Sequence, residues 1–249
     1  MIFRQLFEPL SSTYTYLLAC PTTKLAVLID PVIVSIERDL ALINQLGLTL
    51  LYTLETHVHA DHITAALEIK KQSGSKIAVP AFDALDCADV LVADNDLLSV
   101  GSLAIRALHT PGHTAGHFAY VCGERVFTGD ALLIDGCGRT DFQGGDAQQL
   151  YKSVTEKLFS LPDDYLVYPG HDYQQRFVSS IAQEKQRNPR LGNAQSLAAF
   201  QTIMAELKLP HPKFMQYAVP GNQQCGVCPD HLPENLQNYC QQMTESPQG

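Results

Sequence analysis

The chain has 249 residues, enough to bury one large layered core. Hydrophobic residues make up 45% and charged residues 17%, which excludes a disordered chain. A net charge of −9 excludes a global basic face for nucleic acid or anionic membrane. The seven cysteines have no framework spacing. The opening Met1-Ile2-Phe3-Arg4 has neither a basic region before a long apolar core nor an Arg/Ser-rich transit pattern, and no apolar run nears the roughly 18 residues of a membrane span, so a cytoplasmic protein is expected.

Short β-prone runs are predicted over residues 2–8, 14–19 and 25–30, separated by turns at Pro9-Leu10-Ser11-Ser12 and Pro21-Thr22-Thr23. Ile36, Leu40 and Ile43 stand at helical spacing and predict a helix over 35–46, with Gly47 as its stop. A strand over 50–55 delivers the chain to a run of histidines. Residues 61–74 read as helix, 76–80 as strand, and 97–108 as a hairpin around Val100-Gly101. A second hairpin, 118–122 and 125–128, precedes a helix over 146–159 and a short strand over 165–168. The elements alternate in two similar passes meeting near residue 110, which suits two sheets face to face with helices outside, an α/β architecture. The whole chain, 1–249, reads as one domain in which roughly 180–249 is an extension closing one side.

The strongest chemical signal is Thr56-His57-Val58-His59-Ala60-Asp61-His62. Three imidazoles and a carboxylate at a strand end are the donor types that hold zinc or iron. Three later strand ends repeat the theme: Thr110-Pro111-Gly112-His113, Thr128-Gly129-Asp130 and Pro169-Gly170-His171. A glycine before each donor permits a tight turn and close backbone approach. Read from residue types alone, this set predicts two metals. Cys225-Gly226-Val227-Cys228 is one CxxC without a second pair, which is thin evidence for zinc, and a structural role is expected. His109, His117, His211 and His231 lie outside the ligand pattern and receive no chemical role.

The series HVHADH, TPGHTAGH, FTGD and YPGHDY resembles the metal-ligand series of the metallo-β-lactamase superfamily, which implies an αββα sandwich. In its dinuclear hydrolases, residues matching His57, His59 and His113 hold one metal and those matching Asp61, His62 and His171 the second, with Asp130 bridging. The run from Asp130 to Gln143, the opening FRQLFEPLSSTYTYLLA, and NPRLG and VPGNQQCG resemble the persulfide dioxygenase family nearly end to end. That resemblance implies one Fe²⁺ per subunit, held by His57, His113 and Asp130, the two-histidine, one-carboxylate arrangement of non-haem iron oxygenases. It implies that His59, Asp61, His62, His171 and Asp172 orient the ligands, and that glutathione persulfide and O₂ are the substrates. Arg139 and Tyr173 fall where glutathione-handling relatives place a basic residue and a tyrosine beside the metal; pairing of Arg139 with Asp141 or Asp135 is the competing role. Relatives often pair as homodimers. The alternatives are a dinuclear thioester hydrolase of the glyoxalase II type and a non-catalytic metal-binding scaffold.

Overall fold

The computed structural model describes residues 1–210, 212, 214–230, 232 and 240. Among these, twelve strands form two sheets of six. The first sheet runs in chain order: β1 (Ile2–Glu8), β2 (Thr13–Ala19), β3 (Leu25–Ile29), β4 (Thr49–Leu54), β5 (Lys76–Pro80) and β6 (Val90–Val92). Short turns make β1 to β3 antiparallel. Helices α1 (Ile36–Gln45) and α2 (Ala66–Ser73) cross between β3, β4 and β5, and those pairs are parallel.

The second sheet holds β7 (Leu97–Val100), β8 (Leu103–His109), β9 (Phe118–Cys122), β10 (Arg125–Gly129), β11 (Leu166–Pro169) and β12 (Ser179–Ser180), again in chain order. Its one parallel pair, β10 with β11, is bridged by α3 (Ala147–Lys152) and a continuing π-helical stretch, Ser153–Leu158. Helices α4 (Ile181–Arg187), α5 (Leu197–Glu206) and α6 (Met215–Asn222) complete the chain's described elements.

Three apolar layers hold this αββα sandwich together. Tyr14, Tyr16, Leu18, Ile29, Phe118, Tyr120 and Phe127 fill the space between the sheets. Leu17, Leu28, Ile36, Ile43 and Ile69 seal the first sheet's outer face, and Leu150, Val154, Leu158, Ile181 and Phe200 seal the second's. Strand β2 is therefore buried along its whole length, because both of its faces are covered. The segment beyond residue 180 does not close a single side: α4 and α5 join the second outer layer, whereas Ala218 of α6 joins the first.

The expected helix over 61–74 begins only at Ala66. Residues 61–65 before it form an irregular loop that sends Asp61 to the cleft and Ile63 and Ala65 into the first sheet's outer layer, a divergence that helical spacing does not require. The edge strands β6 and β12, of three and two residues, carry too little pattern to be foreseen. Four cysteines pair, Cys87 with Cys225 and Cys228 with Cys240, while Cys20, Cys122 and Cys137 are free and buried. The pairing gives the CxxC cysteines separate partners. Among the described residues no helix is long and apolar enough to cross a membrane. His211 and His231 lie outside the described residues.

Candidate metal centre

The strand ends β4, β8, β10 and β11 open toward one edge of the sandwich, and the loops that follow them carry the sequence-predicted donors. Close backbone approach requires glycine at the ends of β10 and β11. Gly129 has φ +48°, and a Cβ there would stand 2.6 Å from His117 Nε2. A Cβ on Gly170 would stand 2.7 Å from Asp130 Oδ1. The two glycines let the β10 and β11 ends close on the site.

His57, His113 and Asp130 bring one donor atom each within 4.8 Å of one another. Their remaining polar atoms are occupied. His57 Nδ1 lies 2.9 Å from Thr56 Oγ1, whose own proton goes to Asp30 Oδ2 at 2.8 Å. The hydroxyl therefore accepts from Nδ1–H, and His57 Nε2 keeps a free lone pair. His113 Nδ1 donates to the Arg139 carbonyl at 2.7 Å, which frees its Nε2, 3.6 Å from Asp130 Oδ2. Asp130 Oδ1 accepts from His171 Nδ1 at 2.7 Å, leaving Oδ2 for the triad. Burial away from water, with other imidazoles nearby, holds His57 well below the usual histidine pKa, so it is a neutral donor. Burial works against ionised Asp130, but His171 outweighs it and keeps the carboxyl below the usual range.

The other four predicted donors are engaged differently. Asp61 Oδ2 accepts from Thr13 Oγ1 at 3.1 Å and lies 2.9 Å from both His62 Nδ1 and His171 Nε2. Both nitrogens of His171 are thereby spent, one on each carboxylate, and these two acids overcome burial to hold its pKa well above the usual value. Thr13 Oγ1 also reaches His171 Nε2 at 3.1 Å and His62 Nδ1 at 3.4 Å, so a hydroxyl stands amid the three residues of the second metal set. His59 turns away toward Asp30 (3.2 Å) and Glu55 (3.4 Å); the acids outweigh its burial and raise it well above the usual histidine range. His59, Asp61 and His62 still place donor atoms within 4.8 Å of one another, as do Asp30, Glu55 and His59.

A cleft of about 620 Å³ opens over the triad, lined by His113, Asp130, Arg139, Gln143, Tyr173, Arg176 and Arg190 among others. Arg139 grips Asp141 with Nε and Nη2 at 2.6 and 2.7 Å, donates Nη1 to Pro210 O at 2.7 Å, and lies over the Phe142 ring. Asp135 instead pairs with Arg176 and Arg187. Tyr173 is 76% exposed and stacks on the His171 ring. Asp172 is buried and accepts from Arg176, so it shapes the 172–176 turn without touching the triad.

Sequence reasoning missed His117. It is buried, its Nδ1 meets Thr110 Oγ1 at 2.9 Å, and its Nε2 accepts the Asp130 backbone N–H at 3.1 Å. Burial pulls its pKa down to about 3, which keeps that acceptor unprotonated. The second histidine of TPGHTAGH was the available signal. Thr13 and Asp30, also buried, carried none.

The sequence matches the Metallo-beta-lactamase superfamily over residues 9–92 and 88–171. It is 46% identical over 230 residues to the mitochondrial persulfide dioxygenase ETHE1 of Homo sapiens, covering 91% of this chain and 89% of that one. A hydroxyacylglutathione hydrolase of Rhodospirillum rubrum is 39% identical over 186 residues, covering 73% of this chain and 71% of its own. The crystal structure of ETHE1 from Myxococcus xanthus superposes with a TM-score of 0.89 at 51% identity, covering 91% of this chain and all of that one. The chain belongs to the metallo-β-lactamase superfamily and, within it, to the persulfide dioxygenase family. It is accordingly an enzyme, an oxidoreductase.

Proposed function

We propose that the enzyme oxidises glutathione persulfide with O₂ and water to glutathione and sulfite, at one Fe²⁺ held by His57, His113 and Asp130. The observation that carries this reading is the division of donor atoms. The triad keeps three forward-facing lone pairs, while both His171 nitrogens are spent on carboxylates. Two imidazoles and one carboxylate suit Fe²⁺ and leave positions for two reactants. When bound, the iron supplies the spin-forbidden reaction with O₂ that side chains cannot perform.

The chain's own residues hold the donors and the substrate. Thr56 and the Arg139 carbonyl fix the tautomers of His57 and His113; His117 and His171 fix Asp130 from its backbone and its Oδ1. Arg139 and Tyr173 meet the tripeptide at the cleft wall in this reading. Asp141 is 56% exposed, so a substrate carboxylate can displace it from Arg139 at small cost. In this reading the chain works as a single domain in the cytoplasm and pairs as a homodimer.

Anaerobic purification followed by elemental analysis and an O₂ electrode tests the reading. About one iron per chain and persulfide-dependent O₂ uptake are expected. Arg139→Ala should raise KM about 10-fold or more through loss of a charge-assisted contact, and leave kcat largely intact. A second reading, a dinuclear thioester hydrolase, is favoured by one observation, the gathering of His59, Asp61 and His62. Two zinc ions per chain with thioester cleavage and no O₂ uptake would establish it instead.

A further inference from the structure

The loop that carries His57, His59, Asp61 and His62 is held from behind by a segment far away in sequence. Asn222 is buried, at 3% exposure. Its Nδ2 donates to His59 O and to His62 O, both at 2.8 Å, and its Oδ1 accepts from Thr64 N at 2.9 Å. Three of the four hydrogen bonds an amide side chain offers thus go to the backbone of one loop. The next residues tighten the same grip. Cys225 O accepts from Leu67 N at 3.0 Å, and Gly226 packs so closely that a Cβ would lie 2.2 Å from Thr64 O. A pocket of only about 10 Å³, lined by His57, His59, Asn222 and Cys225 among others, separates this segment from the donor rings. The rings of His57, His59 and His62 follow one another at centroid distances of 4.1 and 4.3 Å, tilted against each other, so the loop's backbone sets the place of His57 through those ring contacts.

Residues 222–226 are themselves tethered. Cys225 is joined to Cys87, 138 residues earlier, on the loop between β5 and β6. Cys225 is buried among Ala66, Ile77 and Val79, whereas Cys87 is only half-buried. Cys87 is therefore the more accessible side of this disulfide.

We propose that residues 222–226 are a thiol-sensitive strap: Asn222 positions the metal-ligand loop, and the Cys87–Cys225 disulfide sets how tightly the loop is held. The inference rests on the metal centre described above, with any metal bound there. A low-molecular-weight thiolate attacks Cys87 Sγ, the S–S bond breaks, and Cys225 leaves as a thiolate that takes a proton in its apolar surroundings. A second thiolate attacks the mixed disulfide, releasing the small disulfide and the Cys87 thiol. Two small thiols are oxidised, and the protein disulfide gains two electrons and two protons. The strap then keeps its hydrogen bonds but loses its anchor to the β5–β6 loop. The thiol released by the proposed reaction is a reductant of this class.

The test uses Co²⁺ alone as the probe metal, with its d–d spectrum reporting coordination and a chelator timing its release. The protein is compared oxidised and after reduction with glutathione that is removed by gel filtration, alongside Cys87→Ser, Cys240→Ser and Asn222→Ala. Reduced protein and Cys87→Ser should release Co²⁺ about 10-fold faster than oxidised protein, and Asn222→Ala faster still, as expected for groups that orient ligands. Cys240→Ser, which opens the other disulfide, should match the wild type. Hydrogen exchange at the Thr64 amide should rise in parallel, a readout that needs no metal and no folded variant beyond the wild type. Equal release and equal exchange in the oxidised and reduced proteins overturn the proposal. Uptake of two cobalt ions would overturn the one-metal reading, while the oxidised-to-reduced ratio would still decide the strap.

Discussion

The triad of His57, His113 and Asp130 and the set of Asp61, His62 and His171 contain the same kinds of residue: two imidazoles and one carboxylate each. Both draw on the loop after β4 and share the contact between His171 and Asp130. They differ in where the spare polar atoms go. In the triad, each residue's rear atom is taken by a neighbour outside the triad: the Thr56 hydroxyl, the Arg139 carbonyl and His171. In the second set Asp61, His62 and His171 meet one another at Asp61 Oδ2, with Thr13 among them, and both His171 nitrogens are spent, while His62 Nε2 alone among the ring nitrogens has no hydrogen-bond partner. Residue type therefore decides what a site can bind, and the partner of the second nitrogen or oxygen decides whether a lone pair is left to bind it.

The largest expected effect breaks the comparison outright. His57→Ala, His113→Ala and Asp130→Ala should each lose more than about 90% of bound metal and activity, because a three-donor site cannot spare one. His62→Ala should retain most of its metal. Elemental analysis of the four variants checks this, and equal loss in all four would make the second set a metal site too. A smaller effect is expected at His117. His117→Leu leaves the buried Asp130 N–H without its acceptor, a loss of about 1–3 kcal/mol of stability, and should lower metal affinity about 10-fold. Thermal unfolding with and without metal separates the two contributions. The smallest effect sharpens the comparison. Thr13→Ala removes the hydroxyl that stands among Asp61, His62 and His171, at a cost of about 1 kcal/mol. Titration with Zn²⁺ should then move from one ion per chain toward two. A ratio that stays at one would assign the closure to His171 between its carboxylates.

Much of the site was legible because its signals are local. A strand end followed by His-x-His-x-Asp-His announces converging donors, and the glycines before His113, Asp130 and His171 announce backbone that approaches closely. Gly129 and Gly170 meet that expectation, since a Cβ on either would stand 2.6 or 2.7 Å from His117 or Asp130. The helix expected to start at Asp61 was misplaced by five residues, since a metal-binding loop and a first helical turn share the same polar composition. The Cys87–Cys225 pair left no signature, because its members are 138 residues apart and belong to no shared motif.

The amino-acid order by itself determined the donor types, their sequence along the strand ends, the alternation of strands and helices, and the family these define. Only the tertiary structure decided which donors keep a free lone pair. That depends on groups brought in from elsewhere, Asp30 behind Thr56, the Arg139 carbonyl behind His113 and Thr13 of β2 beside Asp61, and none of these reveals its partner by spacing. Asn222 meets the ligand loop only because α6 packs back against the first sheet, and a hydrogen bond across 160 residues is fixed by that packing rather than by any periodicity along the chain.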